Sequence, residues 1–115
     1  MLPQEADVNL KNDSDGDGSA LTYVVRHQNI TAEQRKEMCE LLVAHGADVN
    51  VRRRNGNTPL HLAARGGQKD ILELLIDKGA DMNIINNAGR SPLRIAMNQG
   101  HTEIVELLRK HGAKE

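Results

Sequence analysis

A period of 33 residues constrains this chain more than any other feature of it. Thr58 recurs as Ser91, Pro59 as Pro92, Leu60 as Leu93, Ala63 as Ala96, Gly67 as Gly100, Ile71 as Ile104, Leu74 as Leu107 and Gly79 as Gly112. Setting Arg53–Met82 against Asn86–Glu115 gives 11 identities in 30 positions, and they fall on helix-core and turn positions. A unit of this length cannot bury its apolar face alone, so neighbouring units must stack. The same offset aligns Gln34–Asn50 with Gly67–Asn83 at 8 of 17 positions, including Glu40-Leu41-Leu42 and Gly46-Ala47-Asp48. An earlier unit therefore exists, and it is irregular. Ser19-Ala20-Leu21 matches Thr58-Pro59-Leu60 only at an offset of 39, which leaves six additional residues near 26–35. Ala6-Asp7-Val8-Asn9 matches Ala47-Asp48-Val49-Asn50 at an offset of 41.

Each unit reads as two short helices. Thr58 and Ser91 are N-cap residues whose side chains accept a backbone N–H, and Pro59 and Pro92 stand at the first helical position, where a missing donor costs nothing. Ile71, Leu72, Leu74 and Leu75 form an apolar stripe on the second helix, with Glu73 and Asp77 left for solvent and Asp70 or Glu103 near the positive helix end. Gly46, Gly79 and Gly112 supply the left-handed residue that ends such a helix, each preceded by His45, Lys78 or His111.

Thr58-Pro59-Leu60-His61-x-Ala63 followed by Gly79-Ala80-Asp81-x-Asn83 resembles the ankyrin repeat, from about Ala6 onward. The resemblance implies an all-α solenoid of about three repeats, in which an inner helix, an outer helix and a β-hairpin finger follow one another. The expected division of the single domain 1–115 is a repeat tail and extended finger loop at 6–18, an irregular first repeat at 19–52, a second at 53–85 and a cap-like third at 86–115. Three positions depart from the pattern. Arg94 replaces His61, Ala20 replaces the proline, and the array opens on the bare tail Ala6–Asn9. Arg109, Lys110 and Lys114 replace Ile76, Asp77 and Asp81, which reads as a polar C-terminal cap.

Composition narrows the function classes. With no Trp, no Phe and one Tyr the core must be aliphatic, and a net charge of −1 argues against whole-molecule attraction to nucleic acid or to an anionic membrane. No stretch approaches the roughly 18 apolar residues of a membrane span, and the first residues lack a signal-peptide pattern. An intracellular, cytoplasmic protein is expected, with the nucleus as the alternative. The single Cys39 allows no intrachain disulfide and takes the position of Leu72, as a small, half-buried hydrophobe.

No chemistry-bearing constellation completes itself. Asp13-Ser14-Asp15-Gly16-Asp17-Gly18 starts like a calcium loop, but position twelve is Val24 instead of the bidentate Glu. His101-Thr102-Glu103 lacks the following P-C-x-x-C of a zinc deaminase. Gly16 and Gly18 are not followed by the Lys and hydroxyl residue of a phosphate loop, and no nucleophile has a base partner. No cofactor, no metal and no catalysis are expected. His61 is expected to bond backbone groups of a neighbouring turn. Asn50 and Asn83, each eight residues after a Leu, stand in a context resembling asparaginyl-hydroxylation substrates of the family, with hairpin hydrogen bonding as the dominant expectation.

Fingers and inner helices carry binding in this family, and that surface falls here on Arg52, Arg54, Asn55, Asn57, Arg65 and Gly66, then Ile85, Asn87, Ala88, Arg90, Asn98 and Gln99. Arg53 joins the set as the middle of a run of three arginines that the scaffold does not require. The face is locally basic and lies near the acidic finger of Asp13, Asp15 and Asp17. A protein partner with an acidic or phosphorylated surface is therefore expected, bound through bidentate guanidinium contacts. The competing expectation is a structural spacer within a longer array. A monomer is expected, with end-to-end self-association as the alternative.

Overall fold

The computed structural model describes residues 20–27 and 29–113, so the tail and acidic loop of 6–18, with its calcium-like run, lie outside the described residues. Six helices follow in order: α1 (Ala20–Arg26), α2 (Ala32–Ala44), α3 (Pro59–Gly66), α4 (Lys69–Asp77), α5 (Pro92–Gln99) and α6 (Thr102–Lys110). Among the described residues no strand forms. Each finger closes by itself instead: the Arg53 N–H donates to the Asn57 carbonyl and the Asn86 N–H to the Arg90 carbonyl, at 2.8 and 2.9 Å. The two arms are too short for a ladder, so the expected β-hairpin is reduced to a hydrogen-bonded turn.

Helices of seven to nine residues are too short to persist alone, since isolated helices below about 12–15 residues are marginal in water. Stacking supplies the stability. The inner helices α1, α3 and α5 pack in one row, the outer helices α2, α4 and α6 in a second, and each inner helix packs on its own outer helix. Leu21, Leu60, Leu72, Leu75, Leu93 and Leu108 are fully buried between the rows. Each such leucine contributes about 1.5–3 kcal/mol relative to an exposed one. Cys39 belongs to this core and is completely buried, more deeply than its expected half-buried place. No described helix is long and apolar enough to cross a membrane.

Local signals operate where the sequence puts them. Thr58 Oγ1 accepts the His61 N–H at 3.4 Å, and Ser91 Oγ accepts the Arg94 N–H at 3.2 Å. Gly46, Gly79 and Gly112 have φ of 97°, 94° and 96°, a conformation that ends the outer helices and that L side chains avoid. The first repeat accommodates its extra residues in two places: α2 runs 13 residues against nine in α4, and the connector 27–31 is longer than Gly67-Gln68. A buried Arg35 fastens that connector. Its Nε donates to the Val24 carbonyl at 3.3 Å and its Nη2 to the His27 carbonyl, so a guanidinium meets the negative end of α1.

Candidate partner-binding face

The fingers are built by asparagines. Asn86 Oδ1 accepts the N–H groups of Ala88 and Arg90, both at 2.9 Å, so one side chain folds the third-repeat finger back on itself. In the second-repeat finger Asn55 Oδ1 accepts the Asn57 N–H at 3.0 Å. Neighbouring fingers are then joined at the repeat spacing. Arg52 Nη2 donates to the Ile85 carbonyl at 2.9 Å, Asn87 Nδ2 to the Arg54 carbonyl at 2.9 Å, and the Asn87 N–H to the Asn55 carbonyl at 3.0 Å. Asn86 Nδ2 donates to Asn57 Oδ1 at 2.8 Å. Asn50 takes part in the same way, accepting the Asp81 N–H at 2.7 Å, which gives it the hairpin role expected from the sequence.

His61 links the second repeat to the third. Its Nδ1 accepts the Thr58 N–H at 3.1 Å, which leaves the proton on Nε2, and Nε2 donates to the Arg90 carbonyl at 3.0 Å. Burial lowers the affinity of the ring for a second proton, against the opposing pull of the Arg90 and Ile84 carbonyls. The ring is thus a neutral structural pin, as its place in the repeat motif implies. Gln68 and His101, one repeat apart, also tie repeats together. Gln68 Nε2 donates to the Val25 carbonyl at 3.1 Å, and His101 Nε2 lies 3.0 Å from the Arg65 carbonyl. Cys39 has no part in this surface. Desolvation pushes its thiol up to about 11, so it stays protonated and unreactive.

These bonds sort the candidate residues. A groove of about 230 Å³ runs between the inner helices and the fingers, lined by Asn57, Arg65, Asn86, Arg90, Ile95, Asn98 and Gln99. Five of the residues expected from the sequence therefore come together. Asn57 contributes chiefly to its wall, because it is 6% exposed and its side-chain Oδ1 is occupied by Asn86 Nδ2. Arg54, Asn55 and Asn87 are exposed on the finger tips, outside the groove, and Arg53 is half-buried there. Arg52 and Asn87 hold fingers together as well as facing solvent. Ile85 is turned away from this groove and lines a separate one at the far side of the third repeat. Asn86 and Ile95 are not among the residues expected from the sequence. Asn86 matches Arg53 in the repeat alignment and so carries no repeat signal, although Asn three residues before Gly89 is a turn-forming pattern. Ile95 occupies the position of core Leu62 and keeps only a small patch of its surface on the groove.

The groove can offer two guanidinium groups and several amides, a set suited to carboxylate or phosphate oxygens. Among the described residues no group of His, Cys, Asp or Glu side chains converges as metal ligands would.

A family model for ankyrin repeats, in three copies, matches residues 1–86 and 29–115. The chain belongs to the ankyrin repeat family. Ankyrin repeats are generally protein-interaction modules without catalytic activity, and proteins that carry them are often intracellular. A search among curated proteins found no match.

Proposed function

We propose that this ankyrin repeat chain is a non-catalytic interaction module that takes an acidic or phosphorylated segment of a protein partner into the groove between α3, α5 and their fingers, in an intracellular, cytoplasmic setting. The observation that carries this is the convergence of Arg65 and Arg90 with Asn98 and Gln99 on one concavity of an otherwise nearly neutral chain. The mechanism is rigid display. Fingers already cross-linked by asparagine side chains lose little conformational freedom on binding, so a few charge-assisted hydrogen bonds suffice for useful affinity. The finger-tip residues Arg54, Asn55 and Asn87 form the rim, where charges act mainly on encounter rate.

Calorimetric titration with a glutamate-rich peptide, its glutamine counterpart and a phosphoserine version tests this directly. Binding of the charged peptides alone, weakened by salt and lost in Arg65→Glu/Arg90→Glu, is the expected result. Equal binding of the glutamine peptide, or affinity retained by the double variant, would contradict it.

A further inference from the structure

The two arginines of the groove come from different repeats, and each is held by a histidine of the other. His61, in α3, donates from Nε2 to the Arg90 carbonyl at 3.0 Å. His101, which precedes α6, has its Nε2 3.0 Å from the Arg65 carbonyl, and since a carbonyl only accepts, this nitrogen also donates. The pattern is crossed. The second repeat fixes the backbone that carries the arginine of the third, and the third repeat fixes the backbone that carries the arginine of the second.

A tie at the position of His101 is part of the scaffold. Its equivalents one and two repeats back are Gln68 and Arg35, and these also donate to carbonyls near the end of an inner helix: Gln68 to Val25, and Arg35 to Val24 and His27. What differs is the acceptor. Of the three ties, only that of His101 ends on a residue that lines the groove. The end of α3 has a particular need for it. Gly66 and Gly67 follow Arg65, and glycine supports a helix poorly, so this last turn is weak by composition. The Ala63 and Ala64 carbonyls there accept the Gln68 and Gly67 N–H groups at 3.0 and 3.4 Å, and the Arg65 carbonyl accepts His101 Nε2. The donor is firmly seated. The His101 N–H donates to the Ala96 carbonyl and the His101 carbonyl accepts the Val105 N–H, both at 3.0 Å, while the ring lies against Gly67, where a Cβ would meet it at 3.0 Å.

We propose that His101 is a positioning residue of the groove: by holding the Arg65 backbone against the third repeat it keeps the Arg65 side chain in place beside that of Arg90, so that the two act on an acidic or phosphorylated segment as a pair. This rests on the acidic-partner reading of the groove. Without the tie the glycine-flanked end of α3 frays, and the partner has to immobilise a long side chain that the folded protein otherwise holds ready. His101 acts only through Arg65 and touches no ligand. His61 does the same for Arg90, but it is also fully buried in the scaffold, whereas His101 is half-buried and isolates the positioning role.

Two measurements test this together: calorimetric titration with the glutamate-rich peptide, and nitrogen relaxation of the arginine Nε–H groups in the free protein. His101→Ala should weaken the peptide about fivefold and raise the mobility of the Arg65 Nε–H, leaving that of Arg94 as it was. His101→Gln should restore both, because Gln68 shows that a glutamine at this position reaches a carbonyl of the preceding inner helix. Once Arg65→Ala is present, adding His101→Ala should weaken the peptide no further. Gln68→Ala, which removes the tie to Val25, should lower the melting transition without weakening the peptide. Additive losses in the double variant, no rescue by glutamine, an equal loss of affinity in Gln68→Ala, or an unchanged Arg65 Nε–H in His101→Ala would each overturn the proposal. A wild-type protein that ignores the peptide overturns the acidic-partner function instead, and the relaxation measurement, which needs no peptide, still decides whether His101 holds Arg65.

Discussion

The second and third repeats share a third of their aligned residues and one backbone plan, yet equivalent positions do different work. His61 is fully buried and pins a neighbouring carbonyl; Arg94 is exposed. Asn57 is buried under a neighbouring amide; Arg90 is exposed and lines a groove. Ala64 is covered and Met97 is not. The difference lies in what stands next along the stack. A repeat position is scaffold where the following repeat covers it and surface where none does, so the same motif residue is structural in one copy and available for recognition in the next.

Paired substitutions at equivalent positions of the two repeats should therefore have unequal effects. The largest contrast is expected in the outer helices: Leu72→Ala should cost about 2–5 kcal/mol by urea denaturation, and Val105→Ala about 1 kcal/mol, because only the first opens a sealed cavity. Equal losses would show that the third repeat is covered as fully as the second. Next, His61→Ala should cost about 2 kcal/mol by orphaning the buried Thr58 N–H and removing one of the two hydrogen bonds to the Arg90 carbonyl, whereas Arg94→Ala should stay within about 0.5 kcal/mol. The glycines at the ends of α3 and α5 give a smaller pair. Gly67 has φ of 67° and a Cβ there would meet the His101 ring at 3.0 Å; Gly100 has φ of 73° with nothing within 4 Å. Gly67→Ala should therefore cost about 2 kcal/mol and Gly100→Ala about 1 kcal/mol, the first by crowding as well as strain.

The smallest effect is in pH. Folding lowers the pKa of His61 from its ordinary 6.5, so the unfolded chain binds this proton more readily. The stabilisation is whole above 6.5 and is lost as pH falls through the lower folded value, where a proton on Nδ1 would oppose the Thr58 N–H. Thermal melts from pH 7.5 down to 5 should show falling stability, and His61→Gln should flatten that slope relative to wild type. An unchanged slope in the variant would mean that other groups govern it.

Most of the scaffold was legible in the sequence because it is written in local chemistry. Thr58-Pro59, the leucines of α4 and the three terminal glycines each act within a few residues of themselves. The first repeat was less legible: six extra residues were countable, but their split between an extra turn of α2 and a longer connector depends on Arg35 reaching back to α1, which no spacing rule reports. The binding face was half legible. Its arginines could be carried over by register, but hydrogen bonds across 29 to 33 residues decide which of them remain available, and those withdrew Asn57 and brought in Asn86.

Nuclear magnetic resonance can show residue by residue whether Arg65, Arg90, Asn98 and Gln99 form one recognition groove. Titrating isotope-labelled protein with the glutamate-rich peptide should shift the amides and side chains of these residues and of Asn86, leaving α2 and α4 unmoved. Shifts concentrated on the outer helices, or none at saturating peptide, would contradict it.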